Sequence, residues 1–326
     1  MEYTKLGNTG LDVSRICLGS MSFGDPDSWI HKWVLKEEES RTLIKRALEL
    51  GINFFDTANV YSLGRSEEIL GKALKDFAKR DEIVLATKVH QKMFTGPNGQ
   101  GLSRKAIMTQ IDQSLKRLGT DYVDLYIIHR WDYHTPIEET MEALHDVVKA
   151  GKARYIGASS MYTFQFQKAN YIAEKNGWTQ FVSMQNHLNL IYREEEREML
   201  PYCTDQKIAL TPYSPLASGR LIHEKTETTK RTTTDEILKS KYDETAEKDQ
   251  AIIDRVFELA EKYETSRVNI ALGWLLQKES VAAPVIGATK LSHVESAAAA
   301  VDFKLTLDDQ TYLETPYVPH KIVGHL

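Results

Sequence analysis

Short apolar runs alternate with longer amphipathic runs along most of the chain. The apolar runs predict eight strands: Ile16–Ser20, Asn53–Ala58, Ile83–Val89, Val123–His129, Ala153–Ser159, Phe181–Gln185, Ala209–Tyr213 and Ala283–Gly287. Several are continuously apolar, as in Val84-Leu85-Ala86 and Leu125-Tyr126-Ile127-Ile128. Strands of a parallel sheet covered by helices on both faces read this way. Between them, Ile107, Ile111, Leu115 and Leu118 recur every three or four residues, the mark of a helix that buries one stripe. Similar segments predict helices from about Glu37 to Leu50, Ser66 to Lys79, Pro136 to Ala150, Phe164 to Lys175, Glu194 to Cys203, Ala251 to Tyr263 and Val268 to Gln277. Near the start, Tyr3–Leu6 and Val13–Ile16 flank Gly7-Asn8-Thr9-Gly10, which predicts a hairpin.

Strands alternating with helices predict an α/β fold with right-handed crossovers. Eight is the number that closes a barrel, but periodicity alone does not separate a barrel from an open doubly wound sheet. Two segments break the rhythm, Gly24 to Glu37 and Leu216 to Lys248. Both follow strands, on the carboxyl side where an α/β barrel keeps its chemistry. Loops this long are often lids or binding loops.

Composition narrows the class. The 326 residues suffice for one large domain, and no linker or low-complexity stretch divides residues 1–326. A formal charge of −5 leaves no electrostatic footprint for nucleic acid. Two cysteines, Cys17 and Cys203, make no disulfide framework and fit a reducing compartment. No apolar run reaches the ~18 residues of a membrane span, and the first residues do not read as a signal peptide. A cytoplasmic enzyme is the expectation.

The strand ends carry the chemistry. Strand two ends in Asp56, with Tyr61 five residues on; strand three ends in Lys88 and strand four in His129. A lone strand-end Asp is more often a cap, and a lone Lys or His is usually solvated or structural. Their coincidence on three consecutive strand–loop units points to a site. A free Tyr, with a pKa near ~10, is a poor acid at neutral pH. Bringing it down by ~2–3 pH units takes ~3–4 kcal/mol, which a partly desolvated Lys88 would supply. Asp56 would hold Lys88 charged, and His129 would orient a carbonyl oxygen. A Tyr acid beside a carbonyl needs a hydride source, so a nicotinamide or flavin cofactor is implied. The Rossmann glycine fingerprint is absent, and so is a Walker sequence. Ser214, Ser218, Gly219, Gly287, Thr289 and Lys290 are available for a phosphate site after strands seven and eight.

These residues resemble those of the aldo-keto reductases, in the branch of aryl-alcohol-dehydrogenase-like enzymes, with potassium-channel beta subunits as more distant members. The resemblance spans nearly the whole chain. It rests on Asn53-Phe54-Phe55-Asp56-Thr57-Ala58 with Tyr61, Lys88, Asp124-Leu125 with His129, Gly157 with Ser159, Gln185, and Tyr213-Ser214-Pro215-Leu216 with Gly219. It implies a (β/α)8 TIM barrel with an N-terminal β-hairpin cap, and NADP(H)-dependent reduction of aldehydes or ketones. Tyr61 would be the acid, with Asp56, Lys88 and His129 around it. Ser159 and Gln185 would bond the nicotinamide amide, and Tyr213 would stack on its ring. Ser214, Leu216, Ser218 and Gly219 would surround the pyrophosphate, and Ser22 would lie near the cofactor. After strand eight, Gly287, Thr289, Lys290 and His293 would meet the adenosine end. Many relatives carry Arg or Gln at the position of His293, and Glu-Asn at Ser296-Ala297. With that pair absent, Lys290 is the local cation for a 2′-phosphate, with Arg220 as another candidate. Aromatic residues at the rim, Phe23, Trp33 and Trp131, would favour aromatic or hydrophobic carbonyl substrates.

Two other classes compete. A cofactor-binding redox-sensing or regulatory protein would bind tightly and turn over little. A metal-dependent barrel hydrolase would use His129, His134 and His145, but no His-x-His pair ends strand one, and no metal is expected.

Overall fold

A computed structural model describes residues 1–27, 29–224, 227, 230–235 and 240–325. The hairpin comes first, β1 (Tyr3–Lys5) paired antiparallel with β2 (Asp12–Ser14). Eight parallel strands follow: β3 (Cys17–Gly19), β4 (Phe54–Asp56), β5 (Val84–Val89), β6 (Val123–Ile128), β7 (Ala153–Ser159), β8 (Phe181–Gln185), β9 (Ala209–Leu210) and β10 (Val285–Gly287). Their order is sequential, with β10 beside β3. Parallel bridges Leu210–Val281 and Tyr213–Val285 join the β9 segment to the β10 segment. The sheet therefore curls back on itself, and the barrel reading holds over the open sheet.

The continuous apolar runs hide an alternation of period two. Leu18, Phe55, Leu85, Tyr126 and Ile128 face outward into the large core beneath the helices. Cys17, Phe54, Val84, Ala86, Leu125 and Ile127 face inward and pack with Leu6 and Val13 of the hairpin. The hairpin plugs the amino end of the barrel. There Gly7, at φ +60°, lies so close to the Lys207 carbonyl and the Ala209 amide that a Cβ would sit 2.8 Å from each. On the inward face the next positions up are Asp56 on β4 and Lys88 on β5. The alternation that fills the barrel thus also aims Asp56 and Lys88 into its mouth.

Helices α1 (Glu37–Glu49), α2 (Arg65–Phe77), α3 (Arg104–Leu118), α4 (Ile137–Lys149), α5 (Thr163–Asn176) and α6 (Met199–Asp205) separate the strands. Some boundaries differ from expectation for clear reasons. Proline at position 201 has no N–H and clashes with the carbonyl four residues back. The predicted helix from Glu194 to Cys203 is therefore a short turn at Glu194–Glu196 and then α6. Pro212 and Pro284 likewise shorten the last two predicted strands to β9 and β10. The predicted helix Ala251–Tyr263 begins earlier, spanning Ala246–Lys262. Helices at Leu291–Ala299 and Leu307–Glu314 follow β10, where no element was predicted. Within the predicted loop Leu216–Lys248, residues 225, 226, 228, 229 and 236–239 lie outside the described residues, as does residue 28 in the first long loop. Among the described residues, no helix is long and apolar enough to cross a membrane.

Candidate active site

Asp56 and Lys88 meet at the carboxyl mouth, and both are buried. Lys88 Nζ donates to Asp56 Oδ1, to the Thr57 carbonyl at 2.8 Å and to Tyr61 Oη at 3.4 Å. Gln185 Nε2 donates to the other carboxylate oxygen of Asp56 at 3.0 Å. The ring of Tyr61 stands edge-on to His129, with centroids 5.8 Å apart. Asp56, Tyr61, Lys88 and His129 therefore form one cluster, as their strand-end positions predicted.

Electrostatics assign their states. Burial penalises the Lys88 ammonium, but Asp56 and Tyr61 outweigh it and hold the pKa above its ordinary value. Burial pushes the Tyr61 phenol up, and Lys88 pulls it only part of the way back. The expected net depression of Tyr61 is thus not what this arrangement yields. Lys88 spends much of its field on Asp56, and the desolvation of a phenolate is larger than what remains. Burial holds His129 well below the usual histidine range, helped by Arg130 and Lys88, so its imidazole is neutral. Its Nδ1 is buried with no hydrogen-bond partner among the described residues.

A turn of unusual backbone carries Tyr61. Ser62 and Leu63 follow it with φ of +47° and +51°. Gly24, in the loop after β3, packs against this turn, and a Cβ there would lie 1.8 Å from Ser62 Oγ. Gly24→Ala is expected to displace the turn and cut turnover about tenfold or more. Ser62→Gly in the same chain removes the colliding atoms and suits the positive φ, so the double variant should recover most of the activity. Steady-state assay of the three variants checks this, and a double variant no better than the single one counts against it.

The residues expected at the cofactor lie around the same mouth. Ser159 and Gln185 are register partners on β7 and β8, and both are buried. Asn186 follows, its carboxamide buried with neither polar atom partnered among the described residues. Ser160 Oγ donates to Tyr213 Oη at 3.3 Å. Tyr213 stacks on His187 at 5.2 Å, and His187 stacks on Tyr192 at 4.1 Å. Asn189 Nδ2 donates to the Ser214 carbonyl at 2.9 Å. Ser214, Ala217, Ser218 and Gly219 all have positive φ, so Leu216 sits in a tightly coiled segment at the rim. Ser22 Oγ is spent on the Ala288 carbonyl at 2.8 Å. Gly287 faces open space, and Lys290 is exposed. The Thr289 amide donates to His293 Nδ1 at 3.3 Å, and burial lowers the pKa of that histidine.

The aromatic residues expected at the substrate divide differently. Phe23 is fully buried in the outer core, because its backbone bridges to Leu35 and folds its loop inward. Trp33 is also buried; its Nε1 donates to Asp235 Oδ2 at 3.2 Å, and Arg231 covers its ring. Neither presents a surface to the mouth in this conformation. Trp131 is half-buried and packs against the outer core. Trp29, not singled out in the sequence, stands 6.1 Å from the ring of Tyr61. Its only signal was its place in the first long loop.

The tail crosses the same region. Tyr317 Oη and the His320 amide donate to Glu194 Oε1, each at 2.8 Å. His320 Nε2 meets Asp249 at 2.9 Å and His325 Nε2 meets Glu195 at 3.1 Å. Tyr133 Oη donates to the His325 carbonyl at 2.9 Å, and Gly324 lies against Tyr213. Among the described residues, no group of three or more His, Cys, Asp or Glu is arranged to hold a metal ion.

An α/β barrel with a buried carboxylate–ammonium–phenol relay and a neutral imidazole at its carboxyl rim is the class that fold and site define. The sequence profile of the aldo/keto reductase family matches residues 15–316, and the chain belongs to that family. Its relatives include the versiconal hemiacetal acetate reductase of Aspergillus parasiticus, 46% identical over 99% of this chain and 98% of the relative. A putative aryl-alcohol dehydrogenase of Schizosaccharomyces pombe is 44% identical over 99% of this chain and 98% of its own length. An aldo-keto reductase of Fusarium vanettenii is 42% identical over this whole chain and 93% of its own length. Family and relatives make this protein an oxidoreductase of small-molecule carbonyl compounds.

Proposed function

We propose that residues 1–326 form one barrel domain that reduces aldehydes and ketones to alcohols with NADPH. Tyr61 is the general acid. The observation that carries this reading is the shared hydrogen-bond network of Asp56, Lys88 and Tyr61 beside a neutral His129. NADPH, when bound, supplies the hydride that the side chains cannot. Ser159, Gln185 and the orphaned amide of Asn186 fit the nicotinamide carboxamide, and Tyr213 fits its ring. The Ser214–Gly219 segment and the open rim at Gly287 fit the phosphates.

The substrate oxygen would sit between Tyr61 Oη and His129 Nε2. As the carbonyl carbon gains a hydride, the oxygen gains the Tyr61 proton, and the phenolate left behind is stabilised by Lys88. Asp56 keeps Lys88 charged and pointed. Trp29 and Trp131, together with the aryl-alcohol dehydrogenase names of relatives, favour aromatic substrates. The buried, unpaired thiols of Cys17 and Cys203 accord with a reducing, cytoplasmic setting.

The direct test is titration with NADPH and NADH by fluorescence quenching, followed by an aldehyde panel with the better cofactor. Tight binding with no turnover across the panel would favour a redox-sensing role instead. Lys290→Met is expected to weaken NADPH about tenfold and NADH by less than about twofold, since an exposed cation–phosphate pair is worth ~1–1.5 kcal/mol. Equal losses for both cofactors would remove Lys290 from the 2′-phosphate.

The pH profile follows from Tyr61. Reduction needs the phenol protonated, and burial holds its pKa above the ordinary value. kcat/KM for reduction should stay flat from about pH 6 to about pH 9 and fall only above about pH 10. Oxidation of the alcohol needs the phenolate and should rise with pH over the same range. A reduction limb that falls from about pH 7 would contradict this assignment.

A further inference from the structure

Half-buried cations around the barrel mouth are matched by carboxylates. Arg193 meets Glu196, Arg220 meets Asp243, and Arg231 meets Asp235. Arg130 and Lys241 are different. Each is half-buried, and neither has a carboxylate partner among the described residues. They come from separate loops, after β6 and after β9, and converge on Tyr213. Lys241 Nζ stands over the Tyr213 ring, 4.9 Å from its centroid. Arg130 Nη1 donates to the neighbouring His129 carbonyl at 2.6 Å. Its Nη2 lies 3.9 Å from the point a Cβ on Gly324 would occupy, and Tyr213 Oη lies 3.2 Å from that same point. Gly324, at φ +86°, puts no side chain there. The positive field of both groups reaches the reaction centre, where it helps to hold His129 neutral and to lower the Tyr213 phenol against its burial.

Two half-buried cations beside Tyr213, with no carboxylate partner among the described residues, are costly unless an anion completes them. We propose that Arg130 and Lys241 form an anion subsite beside the carbonyl position, so that favoured substrates are aldehydes bearing a carboxylate or similar oxyanion. This deepens the reading of the protein as a carbonyl reductase and rests on it. Trp29 and Trp131 would flank the body of the substrate, and the two cations would hold its charged end. The guanidinium suits a two-oxygen contact, and the lysine adds a point charge. The subsite adjoins His129 through Arg130 and Tyr213 through both cations, so the test below separates a substrate anion from a cofactor phosphate.

The test compares 4-carboxybenzaldehyde with 4-methylbenzaldehyde in the wild type, Arg130→Gln and Lys241→Met. The wild type should favour the carboxylated aldehyde in kcat/KM. Each variant should lower that ratio about tenfold, as expected for one charge-assisted hydrogen bond. A ratio, unlike a rate, does not move when a variant merely loses folded protein. An unchanged ratio in both variants overturns the proposal. So does a loss confined to the dissociation constant of NADPH, which would assign these cations to a cofactor phosphate. If the wild type turns over neither aldehyde, the carbonyl-reductase reading falls, and calorimetric titration with terephthalate at saturating NADP+ decides the subsite alone. Binding weakened about tenfold in the variants supports it, and binding that is absent or equal in all three proteins overturns it.

Discussion

Tyr61→Phe is expected to lower kcat by at least about a thousandfold, while NADPH affinity stays within about twofold of wild type. The variant removes one oxygen, the one that Lys88 Nζ reaches at 3.4 Å. General acid catalysis contributes ~10²–10⁴-fold, and the phenol of Tyr61 carries the proton that the proposed mechanism spends. His129 is neutral and in the proposed mechanism orients rather than protonates, and the Lys88 ammonium is committed to Asp56 and the Thr57 carbonyl. Single-turnover kinetics with NADPH and an aromatic aldehyde would separate the proton-transfer step from cofactor binding. A variant that keeps more than about a tenth of wild-type kcat would remove Tyr61 from the mechanism.

Lys88→Met is expected to damage both stability and turnover, and the two effects can be pulled apart. The side chain of Lys88 is fully buried and is the cation that meets the buried Asp56 carboxylate. Removing one partner of a buried pair leaves the other uncompensated, at a cost of ~3–5 kcal/mol. The melting temperature should fall by roughly 5–10 °C. Turnover should fall by about a hundredfold or more, because the phenolate formed at Tyr61 loses its nearby positive charge. Replacing both partners, as Lys88→Met with Asp56→Leu, relieves the buried charge. The double variant should regain most of the melting temperature and none of the turnover. Recovery of activity along with stability would mean that the pair is structural only.

These expectations rest on residues that were legible in the sequence. Asp56, Tyr61, Lys88 and His129 sit at or just after apolar runs, and in parallel strands such ends share one rim. The eight strands were legible for the same reason, since burial on both faces writes itself as an uninterrupted apolar run. The prolines at positions 201, 212 and 284 were visible too, but their effect on element ends depends on which carbonyls and ladders they meet. The short helix Leu307–Glu314 carries little amphipathic contrast and left no pattern to read.

The sequence by itself determined the alternation of strands with helices and the placing of Asp56, Tyr61, Lys88 and His129 at or just after strand ends, because strand period and strand-end position are local properties; closure into a barrel came from the pairing of the first and last strand segments. Only the tertiary structure decided which loop aromatics face the mouth. Trp33 turns inward to Asp235, two hundred residues away in the chain, and Trp29 takes the place beside Tyr61. Tertiary packing likewise set the direction of the Tyr61 pKa, through a desolvation that no spacing encodes. It also laid the tail against Tyr213 and left Arg130 and Lys241 with no carboxylate partner among the described residues. Long-range pairing of loop side chains follows no periodicity, so it appears only when the barrel has closed and brought the strand-end loops together.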